Sequence, residues 1–250
     1  MSTSSWSTLI EELLESIFNR FEDSRDVFRC AFVCVSWRAI ALKMSGKFIP
    51  LRLSDGRGDT KTAFNIKTMQ TQKIRIPDYF SYMHCSTNYG WIIIFTDAVD
   101  FYYNRPRKIH LLNLFSKAKV MLPPTSNEIY KAVTSTCPLN PECLVLVAYP
   151  CNYNYEHELA FCKIGDENWT TLDKSYFMSQ LPLHIDSLTW YKRKFYGIDG
   201  DKRLVVSNLD SRTIELLYEE PLIIGFRYYY AYLVESLFGE LLLIFSDQGR

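Results

Sequence analysis

The sequence predicts an α+β multidomain protein, with a small helical module at the amino terminus and an all-β domain after it. In the first 45 residues, apolar side chains recur every three or four positions, which is the period of an amphipathic helix. After residue 62, short runs of β-branched and aromatic residues alternate with turn-forming residues, which is the pattern of successive strands. We therefore expect two parts of different structural class.

Composition and charge narrow the classes of partner. The chain has 250 residues, 48% of them hydrophobic, and Lys plus Arg equals Asp plus Glu at 28 each. Because no net charge draws it to polyanions, we expect neither a nucleic-acid nor a membrane partner. The seven cysteines and four histidines do not fall at metal-ligand spacing, so we expect no metal or other cofactor. Unpaired cysteines favour the nucleus or the cytoplasm.

Residues 6–45 form the predicted helical module, and residues 1–5 a disordered tail. The first helix carries apolar residues at helical spacing, namely Leu9, Leu13, Leu14, Ile17, Phe18 and Phe21. This stripe is too broad for a helix that packs on one side only, so we expect it to pack on two. Thr8 and Glu11 fit a capping box at its start. Two further short helices complete a module near the lower size limit for an independent core, which favours a partner.

The β region follows a predicted linker, residues 46–62, which contains one short strand. Residues 63–250 are predicted to form a partial β-propeller, in which β-rich runs are separated by turns of Asp, Asn, Gly and Pro. The predicted runs are 74–76, 91–95, 108–114, 119–122, 144–149, 159–164, 187–190, 194–198, 203–209, 213–218, 228–234 and 241–245.

Two hairpins in this region repeat one pattern. Residues 109–124 and 204–221 each read as strand, turn, strand and then proline, as the outer hairpin of a propeller blade does. At roughly 40 to 50 residues per blade, the region holds about four blades, the lower end of what closes into a ring. The last β run ends close to Arg250. We therefore expect an incomplete or unclosed propeller with an exposed sheet edge.

The helical module resembles an F-box. Residues 6–18 are similar to the family's opening pattern Leu-Pro-x-Glu-Leu-Leu-x-x-Ile-Leu, and residues 33–41 to its closing pattern Val-Cys-Lys-x-Trp-Arg-x-Leu-Ala. Ile10 stands where the family has proline, so the fixed φ that preorganises the helix start is lost here.

The β region is similar to the propeller of plant F-box proteins of the KIB type, a kelch-like domain formerly of unknown function. The similarity lies in residues 89–92, 111–116 with 122–124, 169–172 and 191–199. Together the two resemblances cover nearly the whole chain. They identify it as similar to plant F-box proteins with a carboxyl-terminal KIB-type propeller.

The resemblance implies a receptor that does no chemistry of its own. An F-box binds a Skp-family adaptor and, through it, cullin, and the propeller presents a protein substrate for ubiquitination. The residues that the match assigns to the adaptor interface are Leu9, Ile10, Leu13, Leu14, Ile17, Val33, Cys34, Trp37 and Arg38. Leu13, Ile17 and Trp37 could equally serve the module's own core.

Substrate contacts are predicted from exposed aromatic residues in loops. Tyr102, Tyr103, Tyr153 and Tyr155 are candidates, since tyrosine rings form contact hot spots. The alternative is that these tyrosines pack between blades.

Two competing functions stay open at this stage. A propeller hydrolase would need convergent carboxylates, but the aspartates at 97, 100, 186, 199 and 201 lie at predicted turns, where Asp is expected for local hydrogen bonding. The second alternative is a non-catalytic interaction propeller whose F-box no longer engages the ligase.

Overall fold

A computed structural model of the chain describes residues 6–21, 24–31, 33–45, 51–53, 60–65, 69–76, 81–82, 91–95, 106–114, 116–151, 156–174, 182–218, 230–236 and 239–246. The chain divides into two compact units. The first unit comprises residues 1–79, 89–91 and 112–119, and the second comprises residues 80–88, 92–111 and 120–250.

The described residues contain three α-helices, all in the first unit. They are α1 (Glu11–Phe18), α2 (Ser24–Cys30) and α3 (Val35–Ser45), preceded by a 3-10 turn at Trp6–Thr8. Two glutamates in the first turn of α1 lie at the positive end of the helix dipole, which favours the helix there. None of these helices is long and apolar enough to cross a membrane.

Helix α1 begins at Glu11, so Thr8 is not its N-cap residue as the predicted capping box required. The N-cap residue is Ile10, which has extended backbone angles and makes no side-chain capping hydrogen bond. Thr8 lies two residues earlier, inside the 3-10 turn. The Trp37 indole donates a hydrogen bond to the Trp6 carbonyl, 2.9 Å away, and this tertiary contact fixes the backbone just before α1.

The first unit also holds a three-stranded antiparallel sheet, β1 (Leu51–Leu53), β2 (Thr60–Asn65) and β3 (Gln70–Arg75), in that order. Along β2, Lys61 and Ala63 are buried while Thr60 and Thr62 are exposed. This alternation is that of a sheet with one covered face. β1 is the strand expected in the linker, and β2 begins within the linker as well.

A second sheet has the order β4 (Ser81–Tyr82), β5 (Trp91–Phe95), β6 (Arg107–Asn113) and β7 (Lys119–Thr125). β6 is buried at every position except Lys108, as expected of a strand covered on both faces. The turn after it is closed by Asn113, whose Oδ1 accepts a hydrogen bond from the Ser116 amide at 2.9 Å.

The largest sheet contains two antiparallel four-stranded groups. The first group is β8 (Lys131–Thr134), β9 (Leu144–Pro150), β10 (His157–Lys163) and β11 (Thr170–Lys174); the second is β12 (Ile185–Tyr191), β13 (Lys194–Asp199), β14 (Leu204–Asn208) and β15 (Thr213–Tyr218). Their outer strands β11 and β15 pair in parallel, and their first strands β8 and β12 lie next to each other. Each group therefore has the up-and-down order of a propeller blade.

One apolar core lies between these two groups. Its buried members are Val133, Leu146, Ala148, Leu159, Leu172, Leu183, Ile185, Phe195, Val205 and Ile214. A further hairpin, β16 (Tyr230–Glu235) and β17 (Leu241–Ser246), packs Ala231 and Leu233 against Ile198 of β13. The Leu233 amide donates to the Ser187 hydroxyl at 3.1 Å, which anchors this hairpin beside β12.

Every β run that the sequence predicted overlaps a strand in the structure. The strands that it did not predict are short or end in polar residues: β2, β4, β8 and β11. The predicted unclosed ring stays a prediction.

Candidate functional site

The three helices enclose a small apolar core. Its buried side chains are Leu14, Phe18, Val27, Trp37, Ile40 and Ala41. The rings of Phe18 and Trp37 lie 5.7 Å apart between centroids, and the Phe21 ring meets the Phe18 ring edge-on at 5.5 Å. Burying a large apolar side chain contributes roughly 1.5 to 3 kcal/mol, so these few residues hold the module together.

Helix α1 carries a second apolar face that this core does not cover. Leu14 and Phe18, one turn apart, are each 1% exposed and face inward, whereas Ile10 is 61% and Leu13 52% exposed. Ile17, half-buried, follows Leu13 by one turn, so Ile10, Leu13 and Ile17 lie on one side of the helix. The apolar stripe thus faces in two directions, as its breadth predicted.

More apolar side chains are exposed elsewhere in the module. Val33, between α2 and α3, is 54% exposed, Val35 at the start of α3 is 81% exposed, and Trp6 before α1 is 67% exposed. We call Trp6, Ile10, Leu13, Val33 and Val35 the exposed apolar set. A single exposed apolar residue needs no explanation, whereas here five lie within about thirty residues of one another.

The structure sorts the predicted adaptor-binding residues by exposure. Leu14 and Trp37 are buried, Leu9, Ile17 and Cys34 are half-buried, and Ile10, Leu13, Val33 and Arg38 are exposed. Of the three residues whose role stayed open, Trp37 belongs to the core and Leu13 does not, while Ile17 lies at the boundary.

Sequence reasoning missed Trp6 and Val35 as members of the exposed apolar set. Both lie inside the segments that resemble the F-box, which was the available signal.

Polar groups at the rim of the module are held by local bonds. The Arg38 guanidinium donates from Nε to the Ala31 carbonyl at 3.3 Å, and Arg29 pairs with Asp26 at 3.2 Å. Burial raises the pKa of the Cys30 thiol, and the nearby Asp26 carboxylate adds to the rise. Cys30 is therefore a protonated packing residue rather than a nucleophile.

The carboxylates that a hydrolase would use are engaged in structural ion pairs where the structure describes them. Asp199 is fully buried and accepts hydrogen bonds from the Arg203 amide at 2.8 Å and from its Nε at 2.6 Å, closing the turn between β13 and β14. Asp186 pairs with Lys202. The described residues include no group of three His, Cys, Asp or Glu placed to hold a metal ion.

The remaining candidates lie outside the described residues. These are the four tyrosines proposed for substrate contact and the aspartates at 97 and 100.

Comparison with known proteins identifies the β region. Residues 63–250 match the family model described as the KIB1-4 beta-propeller. The chain is 28% identical over 211 residues to the Arabidopsis thaliana protein named "Putative F-box protein At5g55150", an alignment that covers 80% of this chain and 55% of that protein. It is 24% identical over 276 residues to the F-box protein SKIP23 of the same plant, covering 96% of this chain and 63% of that protein.

The chain therefore spans 55% to 63% of the length of these curated relatives. Because the alignment with SKIP23 takes in 96% of this chain, it includes most of the helical module.

Solved structures match at a lower level. The β-propeller domain of Cps50 (Swd1) from Myceliophteria thermophila aligns with 81% of this chain and 63% of its own, at a TM-score of 0.41 and 15% identity. Such a score is too low to support an argument about the fold, so the family match carries the assignment. The resemblance to plant F-box proteins with a KIB-type propeller is confirmed, and the chain belongs to the KIB1-4 β-propeller family.

Proposed function

We propose that the chain is the substrate-recognition subunit of an SCF-type (Skp-cullin-F-box) ubiquitin ligase, acting in the nucleus or cytoplasm. The three helices form the F-box, which binds a Skp-family adaptor and through it cullin, and the propeller recruits a protein substrate. The observation that carries the proposal is the exposed apolar set on the helical module. The F-box names of the aligned relatives support it.

Different residues of the module have different roles in this proposal. Ile10, Leu13 and Val33 are exposed and contact the adaptor directly, with Ile17 at the edge of the contact. Leu14 and Trp37 are buried and act indirectly, because they fix the position of α1 against α3. Arg38 lies at the polar rim, and its bond to the Ala31 carbonyl keeps it beside the α2–α3 connection.

The receptor accelerates ubiquitination by proximity. Holding an acceptor lysine near the ubiquitin thioester turns a bimolecular encounter into a local one, and this requires no catalytic residue in the receptor. The chain is accordingly a non-catalytic subunit.

Two variants with equally exposed leucines test the proposal. Leu13 is 52% exposed on α1, and Leu139 is 54% exposed in a turn of the second unit. We expect Leu13→Asp in the full chain to abolish co-purification with a recombinant Skp-family adaptor, because it places a charge on the apolar contact. Leu139→Asp should retain binding. Circular dichroism should show unchanged β structure in both variants.

Two results would contradict the ligase role. If the unaltered chain does not bind the adaptor or cullin, the alternative of an interaction propeller with an inactive F-box is favoured. Ile10 is the feature behind this alternative, since the N-cap lacks both the family's proline and a side-chain hydrogen bond. If Leu13→Asp binds as well as Leu139→Asp, the contact lies elsewhere.

A further inference from the structure

The exposed apolar set of the helical module comes in two halves that lie far apart in the sequence. Trp6, Ile10 and Leu13 lie before α1 or in its first turn, whereas Val33 and Val35 lie before α3 or at its start. Under the proposed function one adaptor covers both halves. The start of α1 must then be held at a fixed position relative to the start of α3.

The start of α1 lacks two common local supports. The helix has only eight residues, and helices shorter than about 12 residues are marginal on their own in water. Its N-cap residue, Ile10, makes no side-chain hydrogen bond to the first turn. Ile10 also stands where the F-box pattern has proline, whose ring fixes φ at about −65°. Contacts from elsewhere in the module therefore have to hold this turn.

Ile10 nevertheless has the backbone angles of a proline. Its φ is −68° and its ψ is 152°, so its φ lies where a proline ring would fix it. An isoleucine can leave this conformation whenever the helix frays, because its side chain does not fix φ. The observed angles are therefore maintained by contacts of the neighbouring chain.

Trp37 provides such a contact from the first turn of α3. Its indole Nε1–H donates to the Trp6 carbonyl at 2.9 Å, and the two rings meet edge-on with 6.3 Å between their centroids. Trp37 is 7% exposed and lies 5.7 Å from the Phe18 ring, so the helical core holds the donor in place. The bond thus joins the chain that leads into Ile10 directly to α3.

We propose that the hydrogen bond from Trp37 to the Trp6 carbonyl replaces the missing proline, and that it positions the first turn of α1 for the adaptor. Trp37 is accordingly a positioning residue, which acts through Trp6 and Ile10 and does not touch the adaptor itself. This inference rests on the proposed function, since the adaptor is the partner that the positioned residues contact. It implies that isoleucine at this position is compatible with adaptor binding.

A double-mutant cycle on the full chain tests this role. Trp37→Phe removes the indole donor, and Ile10→Pro supplies the fixed φ. We expect Trp37→Phe to lower the affinity for a recombinant Skp-family adaptor about fivefold, as the loss of one hydrogen bond would. In the presence of Ile10→Pro, the same change should cost less than about twofold. A loss due only to core packing around Trp37 would not be rescued by a proline at residue 10.

Trp169→Phe is the matched control. The Trp169 indole also donates to a backbone carbonyl at 2.9 Å, that of Pro123, but both residues belong to the second unit. Its replacement should leave the adaptor affinity unchanged. If hydrogen exchange shows that Trp37→Phe unfolds the helices, Trp6→Ala takes its place, because the Trp6 side chain is 67% exposed and lies outside the helical core. The same rescue by Ile10→Pro is expected.

Hydrogen exchange of the indole N–H groups tests the bond in the free chain, without the adaptor. Nuclear magnetic resonance should show the Trp37 indole N–H exchanging about tenfold more slowly than that of the exposed Trp6. The variants Trp37→Phe and Trp6→Ala identify the two resonances.

The outcomes distinguish this inference from the ligase role. The positioning role is wrong if Trp37→Phe leaves the affinity unchanged, costs as much with Ile10→Pro as without it, or has no larger effect than Trp169→Phe. Equally fast exchange of the Trp37 and Trp6 indole N–H groups would also overturn it. In all these cases the unaltered chain still binds the adaptor. If the unaltered chain does not bind, both proposals fail, and slow exchange at Trp37 would then show a purely structural bond.

Discussion

At the scale of single residues, the buried polar groups of the second unit hold turns in place. Asp199 is fully buried and Arg203 is 6% exposed, and the pair also engages the Pro182 carbonyl through Arg203 Nη2 at 2.8 Å. Burial raises the pKa of Asp199, although its bonds to Arg203 act in the opposite direction. From the sequence, the Asp-Gly-Asp stretch is expected only to form a turn. The complete burial of Asp199 depends on neighbours that are distant in the chain.

His157 makes the stability of the second unit depend on pH. Burial lowers its pKa to about 4 in the folded chain from 6.5 when unfolded, so at intermediate pH only the unfolded state binds the proton. The contribution of neutral His157 to the free energy of unfolding is therefore fully present above pH 6.5. It is lost as the pH falls toward 4, which lowers the free energy of unfolding by up to about 3 kcal/mol. Urea unfolding of the full chain between pH 7 and 4.5 measures this.

The control for this prediction is His157→Asn, whose amide oxygen can replace Nδ1 as acceptor for the Ile185 amide. This variant should show a shallower fall in stability over the same pH range. Identical pH profiles for the variant and the unaltered chain would mean that other groups cause the loss.

At the scale of elements, α1 combines an N-cap that makes no side-chain hydrogen bond with an exposed apolar face. Ile10 occupies the N-cap with φ −68° and ψ 152°, and it offers no acceptor to the first amides of the helix. The same residue is 61% exposed and belongs to the exposed apolar set. Under the proposed function, the stability of the helix and the contact with the adaptor therefore place opposite demands on this position.

Ile10→Ser should separate these two demands. A serine at the N-cap accepts a hydrogen bond from the first turn and is expected to stabilise the helical module by about 1 kcal/mol. It also removes apolar contact area, so we expect weaker adaptor binding. Thermal unfolding and adaptor titration on the same preparation measure the two effects. If stability and affinity both rise, Ile10 is not a contact residue.

Most elements could be predicted from the sequence, whereas several of their boundaries could not. The strands β5, β9 and β14 are dense in apolar residues and were found from that pattern alone. β11 was not predicted, although its segment was noticed as a resemblance, because Thr170–Lys174 has a single buried residue, Leu172. Its pairing with β10 and β15 makes it a strand.

The conformation of the turn between β12 and β13 could likewise not be predicted from the local sequence. Lys192 and Arg193 both adopt positive φ, 43° and 65°, where asparagine and glycine are favoured. The Tyr191 hydroxyl donates to the Gly239 carbonyl at 2.8 Å, and Lys192 Nζ lies 5.0 Å from the centroid of the Tyr191 ring. These contacts accompany a turn that the local sequence would not select.

At the scale of the whole molecule, the helical module and the largest sheet each have a core of their own. The helical core centred on Leu14 and Trp37 shares no residue with the β core centred on Phe195 and Leu159. Because the helical core is small, its packing leaves little stability in reserve.

Cavity-forming variants should therefore act on one core at a time. Leu14→Ala is expected to destabilise the helices by about 2 to 5 kcal/mol and to raise amide exchange in α1 and α3. Phe195→Ala, with a cost of about 3 to 5 kcal/mol, should raise exchange in β12 to β15 and leave the helices unchanged. Hydrogen exchange followed by mass spectrometry distinguishes the two patterns. If either variant raises exchange throughout both units, the cores are coupled.

The sequence by itself determined the class of each part, the place of most strands and the family resemblance. These depend on local periodicity, on turn residues and on short motifs, all of which are contiguous in the chain. The tertiary structure decided which face of α1 is covered, that Trp37 belongs to the core while Leu13 is exposed, and that Tyr130, His157 and His184 meet. Such facts depend on contacts between segments far apart in sequence, and a local pattern carries no information about them.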